Sequence, residues 1–264
     1  KRDGKRIGFV PTMGYLHDGH LSLMRIAREQ CDVLVTSIFV NPTQFGPSED
    51  FNEYPRDPDH DRQVCKKVGV DIIFYPTPPE MYARDHTVYV VEDYLSSGLC
   101  GETRPIHFRG VLTVVAKLFN VVQPDLAVFG QKDAQQFRLI QQMARDLHFP
   151  IEIIAGPIVR EKDGLAMSTR NQYLSPQERE EAVQIHRALQ RAEDLFARGE
   201  RWAEVYRREL EEVIHKTATA RIDYIEIVAV QNFQPVSRIE EPTLVAIAVF
   251  FEKARLIDNT VLRP

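Results

Sequence analysis

Short apolar runs alternate with longer amphipathic stretches through the first part of the chain. IGFV (Ile7–Val10), VLVTSIFV (Val33–Val40), DIIFY (Asp71–Tyr75), DLAVF (Asp125–Phe129) and IEII (Ile151–Ile154) are strand-length and mostly β-branched or aromatic. They are expected to be buried parallel strands. Between them lie helical patterns such as DGHLSLMRIAREQ and QQFRLIQQMARDLHF; in the second, Phe137, Ile140, Ala144 and Leu147 follow the three-four spacing of one helix face. This alternation predicts an α/β fold with a doubly wound parallel sheet. Such sheets bind ligands beyond the carboxyl ends of their strands, where the strand order reverses.

The rhythm changes after Pro157. Ser175-Pro176-Gln177-Glu178 is a capping box with proline at the first helical position, and the apolar face Ala182, Ile185, Leu189, Ala192 and Phe196 runs on from it until Gly199. A second helix is expected around Trp202 to Thr217, then two strand-like runs, YIEIVAV and LVAIAVFFE. The predicted organisation is a doubly wound α/β domain over 1–158 and a smaller carboxyl-terminal α+β domain over 159–264.

Composition narrows the function classes. With 44% hydrophobic residues in 264, the chain can bury a sizeable core. Its formal net charge of −5 gives no general attraction for nucleic acid, so no nucleic-acid partner is expected and any cation that binds phosphate must act locally. Cys31, Cys65 and Cys100 show neither a C-x-x-C pair nor a zinc spacing, which points to a reducing cytoplasm. No stretch reaches the ~18 apolar residues of a membrane helix, so no membrane association is expected.

Candidate chemistry lies just after the strands. In PTMGYLHDGH, Gly14 and Gly19 permit tight backbone, and His17 and His20, three apart at a helix start, could face one ligand. Helix amino termini favour anions, so phosphate contact fits; a metal pair and a capping role fit the same residues. In FVNPTQFG the carboxamides of Asn41 and Gln44 stand at the edge of the second strand, suited to a small hydroxy acid, with Gln44 the stronger candidate and a self-stabilised turn an equal reading of Asn41. FGQKDAQQ offers Gly130 for close approach of a ring, Lys132 for phosphate and Asp133 for ribose hydroxyls. Ser168, Thr169 and Arg170 combine hydroxyls with a guanidinium, as anion sites often do, or form a surface turn. Arg104, His107 and Arg109 fit either a leaving anion or a domain interface. Asp61 is a candidate on the metal side, although a solvated helix charge is the simpler reading, and no protein metal ligand is assigned.

Taken in order, PTMGYLHDGH, FVNPTQFG, EYPRD, HFRGV, KLFNVVQPD, FGQKDAQQ, KDGLAMSTRN and ARLIDN resemble the pantoate–β-alanine ligase family across almost the whole chain. The resemblance extends to the wider group of HIGH-type nucleotidyltransferases and implies a Rossmann-like nucleotide domain over 1–158, with HDGH as the HIGH-like histidine motif and MSTR as the KMSKS-like loop. It implies a two-step, AMP-forming ligation: the carboxylate of pantoate attacks the α-phosphorus of MgATP to give pantoyl adenylate and pyrophosphate, and β-alanine then displaces AMP. It further implies that Met13, Gly14, Tyr15, Leu16, His17, Asp18, Gly19 and His20 wrap ATP, with His20 the usual proton donor. Gly130, Gln131, Lys132 and Asp133 would hold adenosine and the α-phosphate, with His20, His17 and Lys132 as the catalytic set. Val159, Met167, Ser168, Thr169 and Arg170 would close over the nucleotide from a lid-like second domain, while Gln44 and Gln136 would bind pantoate. Mg2+ is expected with ATP, and a homodimer is the implied assembly. Where the family more often has two serines before the arginine, this loop reads MSTR. The alternative within the same group is a small-molecule nucleotidylyltransferase that stops at a nucleotide-linked product.

Overall fold

All five strands expected in the first part of the chain are present in a computed structural model that describes residues 4–47 and 49–264. They are β1 (Ile7–Thr12), β2 (Val33–Ile38), β3 (Ile72–Phe74), β4 (Leu126–Gly130) and β5 (Glu152–Gly156). They pair in parallel in the order β3-β2-β1-β4-β5. The intervening helices are α1 (Asp18–Arg28), α2 (Pro58–Val68), the short α3 (Pro78–Met81) and α4 (Cys100–Thr103), α5 (His107–Val122) and α6 (Ala134–Asp146). Alternation along the central strands explains the double winding. Val10, Leu34, Leu126 and Val128 pack with Leu21, Met24 and Ala27 of α1 and Cys65 of α2. On β4, Phe129 meets Phe119 of α5, ring centroids 6.3 Å apart. Both faces are therefore covered, as a near-continuous apolar strand requires.

Two expectations need correction. The edge strands are not buried: Ile72 on β3 is 52% exposed, because an edge strand with one neighbour has less to cover it. On α6 the buried face runs through Leu139, Ile140, Met143 and Ala144, while Leu147 lies beyond the helix end and is exposed. The apolar stripe is thus rotated from the predicted one, with Gln135 rather than Phe137 buried in the first turn. The Gln135 carboxamide explains this: it accepts from Cys100 N–H and donates to the carbonyls of Leu95 and Gly98, so its polar atoms are satisfied inside.

Contacts divide the chain into two units, Lys1–Ile158 and Val159–Pro264. The second contains α7 (Pro176–Ala197), α8 (Ala203–Ile214) and an antiparallel sheet of β6 (Arg221–Ala229), β7 (Thr243–Phe250) and β8 (Arg255–Leu262) in the order β6-β7-β8. The capping box at Ser175 and Glu178 forms in both directions, and the predicted face of α7 is buried at Ala182, Ile185, Leu189 and Ala192. It packs with Tyr206 and Leu210 of α8 and with Val245, Ile247 and Val249 of β7. The third strand, β8, was not among the expected elements. Among the described residues no helix is long and apolar enough to cross a membrane.

Candidate active site

β1 has β2 on one side and β4 on the other, so the chain leaves β1 toward one edge and returns to its opposite flank. The carboxyl ends of these strands lead into Met13–His17, Asn41–Gly46 and Gln131–Asp133, at the point of reversal where a parallel sheet binds ligands.

The first of these loops is tightly specified. Gly14 has φ +84°, and a Cβ there would lie 2.9 Å from both Asp61 Oδ2 and Ile38 Cγ2, so only glycine fits. Its N–H donates to Thr12 Oγ1 (3.2 Å), which in turn donates to the Ser37 carbonyl (2.8 Å). Tyr15 is also left-handed, at φ +51°.

His17 and His20 close the loop as a capping box. His17, extended at the N-cap of α1, accepts the Gly19 N–H at Nδ1 (3.2 Å), and His20 Nδ1 accepts the His17 N–H (3.3 Å). The rings stand 4.1 Å apart between centroids, tilted by 42°. A backbone N–H can only donate, so both Nδ1 atoms are unprotonated and each neutral ring carries its proton on Nε2. Burial lowers the His17 pKa to about 4, with Lys132 adding to the effect and Asp133 and Asp18 opposing it. Burial, then His17, then Lys132 hold His20 well below its ordinary value. The pair is a neutral double donor: capping uses Nδ1 of each ring and leaves the proton on Nε2.

Lys132 lies in the turn after β4, its Nζ 3.9 Å from Asp133 Oδ1, and its charge is felt at both imidazoles. A Cβ on Gly130 would meet only Leu23 Cδ1, at 3.9 Å, so packing within the protein does not demand glycine there.

Asn41 proves to be a structural turn residue. It is 1% exposed; Oδ1 accepts from Thr43 N–H, Thr43 Oγ1 and Tyr82 OH, and Nδ2 donates to the Gly110 carbonyl and to Gln44 Oε1. This orients Gln44: with Oε1 taken by Asn41, Nε2 faces Met13 Sδ at 3.1 Å. Thioether sulfur is a weak acceptor, so a carboxylate or hydroxyl oxygen would compete well for that donor. Gln136 is half-buried in the first turn of α6.

The RPIHFRG segment answers a question its residue types leave open. Arg104 grips Glu49 with two bonds of 2.7 Å and reaches the Gln44 carbonyl (3.4 Å), while His107 Nδ1 donates to the same carbonyl (3.0 Å). Burial pushes the His107 pKa to about 3, helped by Arg104, so it is a neutral brace. Arg109 instead stacks on Tyr89 at 3.7 Å. Gly110 lets α5 reach this loop, since a Cβ there would come within 2.4 Å of the Thr43 carbonyl oxygen and 2.6 Å of Gln44 Cα.

Within the second unit, Val159 and Met167 are partners: the Met167 N–H donates to the Val159 carbonyl (2.9 Å), closing a small hairpin. Arg160 in that hairpin pairs with buried Asp258 of β8 through bonds of 2.6 and 3.2 Å and donates to the Gly164 carbonyl. The ARLIDN segment thereby anchors the base of the MSTR loop. Ser168 caps a short 3-10 turn, Thr169–Tyr173, by accepting the Arg170 N–H (3.3 Å), and Thr169 is buried.

Sequence reasoning missed what Asp61 does. It is not solvated: it is 1% exposed, with its two oxygens accepting the N–H groups of Tyr15 and Leu16. Its spacing from Val64, Cys65 and Val68 places it on the apolar stripe of α2, a signal of burial present in the sequence. Among the described residues no group of three His, Cys, Asp or Glu could hold a metal ion.

Comparison with known proteins agrees along the whole chain. The sequence profile of the family described as Pantoate-beta-alanine ligase matches residues 1–261. A pantothenate synthetase from Thermotoga petrophila is 55% identical over 258 residues, covering 98% of this chain and 92% of the relative. One from Caldicellulosiruptor bescii is 52% identical over 262 residues, covering 99% and 93%. The crystal structure of pantothenate synthetase from Thermus thermophilus superposes with a TM-score of 0.95 at 45% identity, covering 98% of this chain and 94% of that one. A pantoate-beta-alanine ligase from Francisella tularensis, complexed with beta-gamma ATP and beta-alanine, gives 0.80 at 34% identity, covering 97% and 90%.

Proposed function

Because the chain belongs to the pantoate–β-alanine ligase family, we propose that it condenses (R)-pantoate with β-alanine at the expense of ATP, through pantoyl adenylate, releasing pyrophosphate and then AMP. One observation carries the assignment of the site. Two neutral imidazoles, a lysine and an oriented carboxamide donor occupy the loops that follow three adjacent strands, β1, β2 and β4.

Adenylation moves negative charge onto the departing pyrophosphate, so it needs fixed donors and a cation more than covalent help. His17 and His20 offer Nε2–H groups to phosphate oxygens, and Lys132 supplies the charge. The Met13–His20 turn and Gly130–Asp133 hold the nucleotide, Gly130 leaving its ring side open. Gln44 donates Nε2–H to a pantoate oxygen and stands beside the β-alanine position, with Gln136 the second pantoate contact. In the second unit Val159 and Met167–Arg170 are assigned to the nucleotide on the family resemblance. Magnesium would enter with ATP, held by phosphate oxygens and water, since the described residues form no cage for it. The resemblance also implies a cytoplasmic homodimer, a state that sedimentation measures directly.

Incubation with ATP, pantoate and β-alanine should yield pantothenate, AMP and pyrophosphate in equal amounts. A stable nucleotidyl product without free AMP would assign the protein to the nucleotidylyltransferases instead. The brace behind Gln44 is testable in the same assay. Gly110→Ala forces the Thr43–Gln44 backbone away and should cost about 1–3 kcal/mol of stability by overpacking, read as a lower Tm. It should also raise the KM for pantoate more than that for ATP; equal changes in the two would detach Gln44 from pantoate.

A further inference from the structure

Asp61 has no place in the site just assigned, yet it holds that site's most strained turn. Its Oδ2 accepts the Tyr15 N–H (2.9 Å) and its Oδ1 the Leu16 N–H (2.8 Å). The neighbouring His60 donates from Nε2 to the Leu16 carbonyl (3.0 Å). Two consecutive residues in the first turn of α2 thus secure three backbone groups just ahead of His17. The backbone they secure is unfavourable by itself: Gly14 and Tyr15 are both left-handed, and Tyr15 has a Cβ that disfavours this conformation. Two parallel N–H donors call for two acceptor oxygens, and charge-assisted bonds to a buried carboxylate are strong ones. An asparagine would offer one acceptor and turn an amide donor toward the other N–H.

We infer that Asp61 is a positioning residue for adenylation, clamping Tyr15 and Leu16 so that the His17–His20 pair is set in its capping geometry before nucleotide arrives. It touches no substrate and acts through the two imidazoles. Preset donors matter here because donors that must reorganise during the reaction lose much of their effect on developing charge. The catalytic consequence rests on the proposed role of the histidines at the ATP phosphates; the clamp itself does not.

The test is Asp61→Asn, assayed for pyrophosphate release and examined by imidazole nitrogen NMR. Wild-type spectra should show His17 and His20 as Nε2–H tautomers, and the variant should mix tautomers as the turn loosens. Its kcat for pyrophosphate release should fall at least tenfold while the KM for pantoate stays within twofold. Added to His20→Ala it should cost little more, because residues acting through one another are not additive. Val64→Ala, on the same helix and packed into the core, supplies a control with a comparable loss of Tm and a retained kcat. The inference is overturned if Asp61→Asn keeps wild-type kcat, if it costs the same factor in the His20→Ala background, or if the control loses as much. Should the asparagine variant not fold, Asp61→Glu keeps the charge, cannot seat both oxygens, and carries the same expectations. Wild-type protein that releases no pyrophosphate would defeat the functional reading alone, and the spectra would still decide the clamp.

Discussion

His20→Ala is expected to slow pyrophosphate release by roughly 100- to 1,000-fold, the range seen when one preorganised donor to developing charge is removed. The substitution also deletes the acceptor for the His17 N–H, so His17 should be displaced and the loss should exceed that of one hydrogen bond. Rapid-quench measurement of pyrophosphate with pantoate present and β-alanine withheld isolates this step. The pH dependence separates two roles for the ring. A histidine that donates a proton near its ordinary pKa must be protonated, so the rate would fall as pH rises through neutrality. With His17 at about 4 and His20 well below its ordinary value, kcat should stay level through the mildly acidic range and fall only as pH nears 4. A limb between pH 6 and 7 that vanishes in His20→Ala would establish proton transfer instead.

The same shift has a sign for stability. Between the unfolded value of 6.5 and the folded value of about 4, the unfolded His17 binds a proton that the folded ring refuses. Stability contributed by the neutral ring is therefore present above pH 6.5, is lost as pH falls through this window, and levels off below it. For His17 the loss is up to about 3 kcal/mol, and His107, shifted in the same direction, steepens the fall. Bound ATP reverses the preference if its phosphates draw a proton onto either ring, so melting curves with and without nucleotide should diverge most at acid pH.

Lys132→Ala should reduce the rate of adenylation by about 2–4 kcal/mol, roughly 30- to 1,000-fold, if its charge is felt in the transition state. Lys132 lowers the proton affinity of both histidines, so its removal carries a second signature: their pKa values should rise. A variant with full activity and unmoved histidine titrations would make Lys132 an ordinary surface cation. Lys132→Arg should not fully restore the rate, since a planar guanidinium replaces a compact ammonium at the end of a short turn.

What could be read from sequence follows from how each group is paired. The central strands announced themselves because β1, β2 and β4 are apolar on both faces, and α7 because its cap and stripe are both local patterns. β8 stayed hidden because Asp258 and Asn259, both buried, interrupt its apolar alternation, and the reason for Asp258 lies far away at Arg160. Arg104 and His107 looked like anion ligands for a similar reason: Arg104 is gripped by Glu49, 55 residues away, and His107 by the carbonyl of Gln44, a backbone acceptor that leaves no mark in residue types. Asn41 and Gln44 showed as a pair of carboxamides, but that Asn41 has all its polar atoms bound within the protein depended on the distant Gly110 and Tyr82. Short-range pattern identified the loops that bear the chemistry; long-range pairing decided which of their residues is a wall and which is a tool.

The histidine capping box links this enzyme's resilience to its chemistry in an unusual direction. Serine or aspartate at position 17 would be a better helix start than imidazole, so a screen for heat resistance should favour His17→Ser or His17→Asp. Such variants would melt later and turn over slowly. At this one turn, durability and turnover make opposite demands on the same side chain.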